Sequence, residues 1–424
     1  MEDTSAPTEL LHPDSLQTNV ASFKTAFQNH GLRDDLIYFA CKANSHPSFL
    51  EAAKKAEIGI DVTSEKELAD ALAAGLDPVR IIVTSAIKTD TLLQRCVDLH
   101  VTTVVDNFDE LKLLQQQQSS KTPIMIRLGG WQFNGTPSAT RFGFLPSQIS
   151  QIVELCQQAK FDIRGVQFHL KGYSLEERTT GIEHALGVIS TLREAGFQPE
   201  ILDIGGGIPV SYLASETEWI EFNAQLQSSI LDRRDEVTFN RDGLGFFNVK
   251  GEIVGAPSFY PYWNKLTKGE YLDALLKRNL INGQSVAKNL KSQRISLQIE
   301  PGRALLDQCG CLLAKVAFNK TDSAGRHLTG LFMNRTQLMS SSSDFCVDPI
   351  ALSERPTKAT YLVGSYCIES DVIMKRRLHI PELRRGELLL IPNTAAYVTS
   401  LFASNSHGLG EVRRVVLEGS GGLP

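Results

Sequence analysis

The stretch Leu36-Ile-Tyr-Phe-Ala-Cys-Lys-Ala-Asn44 decides how the chain is read. Five mostly apolar or aromatic residues predict a buried strand, and Lys42 follows at its carboxyl end. An ammonium there is costly unless it is paired, solvated or chemically committed. Desolvation lowers a lysine pKa and frees the amine, which is what attack on an aldehyde requires. A strand-end lysine reaching into water is the plain alternative. What favours chemistry is the company Lys42 keeps further along.

From Leu36 one rhythm repeats: a short apolar run, a polar residue, a loop, an amphipathic helix. The runs after Lys42 end at Asp61, Ser85, Asp106, Arg127, His169, Asp203 and Glu300. Helical patterns at 64–74, 107–117, 146–160 and 175–195 lie between them. Alternation of this kind predicts a parallel sheet, and eight such units predict a closed (β/α)8 TIM barrel over 36–304. Chemistry in such barrels sits at the carboxyl ends of the strands, which here carry ionisable groups.

One connection breaks the rhythm. The insert at 208–294 is longer than a βα unit needs, and holds the aromatic stretches Gly243-Leu-Gly-Phe-Phe-Asn248 and Ser258-Phe-Tyr-Pro-Tyr-Trp-Asn264. It reads either as a surface excursion with its own small core or as a lid over the barrel mouth. After residue 304 short β-branched runs at 311–318, 327–333, 358–363, 387–392 and 411–417 predict a C-terminal antiparallel β domain over 305–424. Residues 1–35 form an arm with a helix at 16–29 that carries Val20, Phe23 and Phe27 on one face. This arm is expected to pack with the β domain.

A chain of 424 residues suits a large barrel plus a second domain, and 42% hydrophobic with 21% charged residues is ordinary for a globular enzyme or scaffold. A net charge of -5 gives no electrostatic reason to bind nucleic acid or an anionic membrane. No apolar run has the length of a membrane span, and the acidic start Met1-Glu-Asp is unlike a signal peptide. Seven scattered cysteines without a Cys-x-x-Cys pair read as free thiols in a reducing cytoplasm. No His-x-His or paired-carboxylate pattern supports a metal centre.

Gly205-Gly-Gly207 after the seventh strand can close main-chain N–H groups on an anion, or can be no more than a tight turn. Glu300-Pro-Gly-Arg303 adds a guanidinium suited to phosphate and a carboxylate suited to a protonated pyridine nitrogen. His169 could stack on such a ring or hold a structural hydrogen bond. A lysine for an aldehyde, a carboxylate for a ring nitrogen, and a glycine loop with an arginine for a phosphate describe a pyridoxal 5'-phosphate site.

With these motifs the chain resembles the fold-type III pyridoxal-phosphate decarboxylases, the group of ornithine, arginine and diaminopimelate decarboxylases. Ala40-Cys-Lys-Ala-Asn44 matches the strand with the Schiff-base lysine, and Asp61-Val-Thr-Ser64-Glu-Lys-Glu67-Leu matches the Asp-x-x-Ser-x-x-Glu-Leu segment. Arg127 and Arg141-Phe-Gly143 fall where the family has a strand-end arginine and Lys-Phe-Gly. The resemblance implies cofactor contacts from Lys42, Asp61, Ser64, Glu67, Arg127, His169, Gly206, Gly207, Glu300, Arg303 and Tyr397. It implies Cys367 as a proton donor reaching into the other subunit's barrel, and hence an obligate homodimer with shared active sites.

Three departures concern the substrate. The family's His-x-Gly-Ser appears as His169-Leu-Lys-Gly-Tyr-Ser174, two residues longer, which makes Ser174 the candidate phosphate serine. The family's Cys-Glu-Ser-x-Asp appears as Cys367-Ile-Glu-Ser-Asp371, with Glu369 displaced by one. Met333-Asn-Arg335 stands where diaminopimelate enzymes carry an Arg-Pro segment. Arg335, Glu369 and Asp371 are therefore the candidate substrate contacts. The segment 393–398 and His407 are similar to the siderophore-pathway branch that decarboxylates citryl-diaminopropionate. Decarboxylation of an amino acid or an amino-acid-derived intermediate is the expected reaction. The rivals are a racemase or carbon–carbon bond-forming enzyme on the same cofactor, and a non-catalytic homologue that binds a partner.

Overall fold

A computed structural model describes residues 6–117, 122–340, 344–404, 406–408 and 410–417. The chain divides into two compact units.

The first unit, residues 16–209 and 266–305, is the barrel. Its eight parallel strands follow chain order: Tyr38–Ala40, Gly59–Val62, Ile81–Val83, Thr102–Val105, Pro123–Leu128, Asp162–Phe168, Ile201–Asp203 and Ser296–Gln298. A parallel bridge between Ile37 and Ile299 joins first to last, with Tyr38 N donating to the Ile299 carbonyl at 2.9 Å. The strands are short, mostly apolar and buried along nearly their whole length, as strands covered on both faces must be. Gly165 lets the sixth and seventh strands close up, since a Cβ there would lie 2.1 Å from the Ile201 carbonyl oxygen.

Outer helices start where the sequence places a cap. Ser64, Thr89, Asn107, Ser174 and Ser285 each accept a main-chain N–H of the first turn. His100 and Lys160 end their helices in the left-handed region, at φ 57 in both cases.

The second unit contains residues up to 15, 210–265 and 306 onward. Its main sheet runs Ile350–Ala351, Leu388–Pro392, Gly310–Thr321, His327–Leu331, Thr357–Val363, Val372–Pro381, with Thr8–Leu11 paired to Gly310–Thr321. It is mostly antiparallel. Two pairings depart from that expectation: His327–Leu331 with Thr357–Val363, and Thr8–Leu11 with Arg413–Val416, are parallel.

The arm and the insert both divide between the units. Thr8–Leu11 joins the β sheet, whereas the helix from residue 16 belongs to the barrel, where Asn19 Nδ2 donates to the Leu305 carbonyl at 2.9 Å. Of the insert, 266–294 returns to the barrel as the helices Lys268–Lys277 and Val286–Ser292. Residues 210–265 go with the β unit because their aromatics find partners there. Tyr262 lies 5.9 Å from Phe345, Phe239 lies 5.3 Å from Tyr361, and Thr238 bridges Arg376 in the last long strand. Trp219, Phe222, Leu226, Leu244 and Phe259 form a small core.

Candidate active site

Lys42 stands in a single helical turn, Cys41–Ala43, just beyond the first barrel strand. Its Nζ donates to Asp61 Oδ2 at 3.2 Å. The lysine side chain is 40% exposed and Asp61 is 0% exposed, so pairing and not burial holds the amine. The ammonium is therefore paired and partly solvated, not desolvated. Asp61 is fixed from its other oxygen, which accepts the Thr84 hydroxyl at 2.5 Å.

A polar layer crosses the barrel opposite. Arg127, Gln167, Asp203 and Gln298 are register partners on four adjacent parallel strands, so their side chains share one face. Gln298 Nε2 donates to Asp203 Oδ2 at 2.6 Å, and the Gly205 N–H donates to Asp203 Oδ1 at 2.7 Å. Gln167 Nε2 forks over the two oxygens of Glu300 at 3.3 and 3.4 Å. Both acids are buried. Burial, then the negative charges of Asp203 and Asp61, push the Glu300 pKa well above the usual carboxylate range. Burial also raises Asp203, against hydrogen bonds that lower it. The shorter bonds favour charge on Asp203, so the proton held by the pair rests on Glu300.

His169 follows the sixth strand and packs against the glycine loop, where a Cβ on Gly205 would lie 2.8 Å from its Nδ1. Solvent reaches the ring. Even so, the surrounding protein, followed by the charges of Lys42, Arg178 and Arg127, lowers its pKa, and the imidazole is neutral at pH 7. Arg127 pairs with Asp106 at 3.3 Å and stacks over Phe142 at 4.3 Å. Asp106 also accepts the Gly143 N–H at 3.2 Å. The loop carrying Asp106 is anchored by a buried pair, Lys88 to Glu110 at 3.0 Å, with Glu110 accepting the Asp106 N–H at 2.9 Å.

The glycine loop turns through the left-handed region that favours glycine, with Gly205 at φ 65 and Gly207 at φ 68. A Cβ on Gly206 would stand 2.7 Å from the Glu300 carbonyl oxygen. Arg303 lies half-buried in the turn after the eighth strand.

Several candidates make hydrogen bonds that fix the local backbone. Ser64 caps its helix through the Glu67 N–H at 3.1 Å, and Glu67 accepts the Thr63 N–H at 2.6 Å. Both therefore fix the loop after Asp61. Ser174 is likewise a cap, accepting the Glu177 N–H at 3.1 Å, and Glu176 and Glu177 make that helix start a poor place for an anion. Asp371 is buried, and its two oxygens accept the main-chain N–H groups of Arg335 and Tyr366, both at 2.8 Å. It clamps a loop, which corrects its reading as a substrate contact.

On the β unit, Cys367 is the exposed cysteine while the other six are buried. Glu369 and Arg335 line a cleft of about 370 Å³ together with Phe239, Asn240 and Asp242 of the insert. Tyr397, a bulky residue, sits in the left-handed region at φ 67, a strain that functional loops carry more often than others.

Thr84, Lys88, Glu110, Gln167, Gln298 and Arg178 are the residues that sequence reading missed. Two of them were signalled: Gln167 and Gln298 are single amides inside apolar strand runs.

The sequence profile described as pyridoxal-dependent decarboxylase, pyridoxal binding domain, matches residues 14–243. The chain belongs to the pyridoxal-dependent decarboxylase family. It is 30% identical over 95% of its length to the uncharacterized protein y4yA of Sinorhizobium fredii, covering 85% of that protein. It is 22% identical to a diaminopimelate decarboxylase of Staphylococcus aureus, over 94% of this chain and 85% of that one. Among solved structures, the diaminopimelate decarboxylase of Helicobacter pylori complexed with L-lysine superposes with a TM-score of 0.72 at 21% identity. That match covers 98% of this chain and 93% of the other. The Vibrio vulnificus lysine/ornithine decarboxylase complexed with cadaverine gives 0.73 at 19%, over 98% and 94%.

The barrel residues of this family member suit its cofactor. An amine, a buried acid that keeps its proton, a neutral imidazole and a loop closed to any Cβ converge on one barrel mouth. They match an aldehyde, a pyridine nitrogen, an aromatic ring and a phosphate in turn.

Proposed function

We propose that the protein decarboxylates an α-amino acid, or an intermediate that retains an amino-acid head, using Lys42 as the amine that holds pyridoxal 5'-phosphate. The supporting observation is the Lys42–Asp61 pair set in the same barrel as Glu300, a buried acid whose pKa burial raises. When bound, the cofactor supplies an electrophilic aldehyde and a ring that takes up the electrons left by departing carbon dioxide.

The chain supplies the rest. Asp61 keeps the Lys42 amine at a fixed position. Glu300 would hold the ring nitrogen, and on binding would pass its proton to that nitrogen, leaving a carboxylate paired with an electron-poor pyridinium. Neutral His169 adds no positive charge beside the ring. Gly206, Gly207 and Arg303 would bind the phosphate. Cys367 would return a proton to the α-carbon, reaching the partner subunit's barrel in a homodimer with shared sites. Arg335 and Glu369, one of each charge, would select the far end of the substrate. No helix among the described residues is long and apolar enough to cross a membrane. With seven free cysteines, we place the enzyme in a reducing cytoplasm.

The test is carbon dioxide release from L- and D-diamino acids, including diaminopimelate, ornithine, lysine and citryl-diaminopropionate, with cofactor absorbance followed in parallel. Release from one of them is expected. Spectral exchange with retention of the carboxylate in every product would replace the proposal with racemisation or bond formation.

A further inference from the structure

Arg178 is 0% exposed, and its hydrogen bonds among the described residues go to three main-chain carbonyls and a hydroxyl, none to a carboxylate. A guanidinium taken fully out of water needs compensation. Here that comes from oxygen dipoles of the glycine loop. Nη1 donates to the carbonyls of Ile204 at 2.8 Å and Gly206 at 3.0 Å, and Nη2 donates to the Gly207 carbonyl at 3.0 Å. Nε donates to the Tyr271 hydroxyl at 3.2 Å.

The arrangement has a stereochemical consequence. The peptides are planar and trans, so each carbonyl turned onto Arg178 points the following N–H the opposite way. The Gly205 N–H is taken by Asp203. Those of Gly207 and Ile208 have no acceptor among the described residues. The loop therefore presents N–H groups on one side and has directly behind it a positive charge that carbonyl dipoles solvate and no carboxylate neutralises. Both features ask for an anion on the open side, and N–H groups with a cation behind them bind a dianion more strongly than a monoanion. Ser174, two residues late in the loop before this helix, is occupied as a cap.

We propose that Arg178 is a positioning residue for the phosphate end of the cofactor, acting through the glycine loop by its charge. The proposal rests on the pyridoxal-phosphate reading above and adds to it a residue whose contribution depends on phosphate and not on the aldehyde.

The experiment titrates the full-length apoprotein with pyridoxal 5'-phosphate and with pyridoxal, which lacks the phosphate, following tryptophan fluorescence and visible absorbance. Inorganic phosphate is added separately in a thermal-unfolding series. In Arg178→Gln, affinity for pyridoxal 5'-phosphate should fall by more than about tenfold while that for pyridoxal changes little. Stabilisation by inorganic phosphate should be lost as well. Arg178→Lys keeps the charge without the fork, and should retain most of the preference for the phosphorylated aldehyde. Equal losses for both aldehydes in Arg178→Gln would show that the side chain only shapes the loop, and would overturn the proposal. Should Arg178→Gln not fold, a folded Arg178→Lys without that preference would overturn it too. The two readings fail separately. A wild type that is stabilised by phosphate through Arg178, yet gains no visible absorbance from either aldehyde, would uphold the anion site and reject the cofactor.

Discussion

Gln298 holds Asp203 with a 2.6 Å hydrogen bond across the seventh and eighth strands, one layer below Glu300. This contact decides where the proton of the acid pair sits. Asp203 receives two short bonds from N–H donors, whereas Glu300 receives a long fork, so the charge settles on Asp203 and the proton on Glu300.

A pH signature follows. Glu300 has a native pKa raised above its ordinary 4.5, so it contributes stability at low pH that is lost as pH rises from that value through the native one. Apoprotein carrying Glu300→Gln lacks this loss. Its melting temperature relative to wild type should climb as pH goes from acid to neutral. A constant difference across that range would show that Glu300 is ionised in the native state.

Replacing Lys42 with alanine should abolish the visible absorbance of protein mixed with pyridoxal 5'-phosphate. Asp61→Asn should keep the absorbance but alter its pH dependence, because the amine loses a carboxylate at 3.2 Å. An unchanged spectrum in Lys42→Ala would remove the assignment of the amine.

Lys88 and Glu110 are both almost fully buried, 3.0 Å apart. Lys88→Met strands the Glu110 carboxylate, which should cost about 3–5 kcal/mol in chemical denaturation. The double substitution Lys88→Met with Glu110→Gln should recover much of it, since no buried charge is then left alone. It should also loosen Asp106, whose N–H Glu110 accepts.

Cys367 is exposed, so Cys367→Ala should leave the melting temperature unchanged within error. Turnover should fall by about a hundredfold or more if the thiol returns the proton, the usual contribution of a positioned acid. Full turnover with the alanine variant would pass that role to water or another residue.

The sequence alone determined the barrel. Its strands lie buried between a core and a ring of helices, so each had to be written as an apolar run, and five of the helix starts are written as Ser, Thr or Asn caps. The ionisable ends of those runs made Lys42, Asp61, Arg127, His169, Asp203 and Glu300 visible as a set. Tertiary structure decided what the runs could not encode. Whether Ser174, Glu67 and Asp371 face a ligand or bind main-chain N–H groups depends on neighbours that no spacing rule describes. Arg178 occupies the buried stripe of its helix with Ile182, Ala185 and Ile189, a pattern legible in the sequence. Its partners lie some thirty positions away in the glycine loop. The division of the 208–294 insert was equally beyond local reading, because its aromatics settle against whichever sheet the folded chain brings to them. Short-range patterns are set by the backbone's own periodicity, while hydrogen-bond partners and buried charges are set by which distant segments meet.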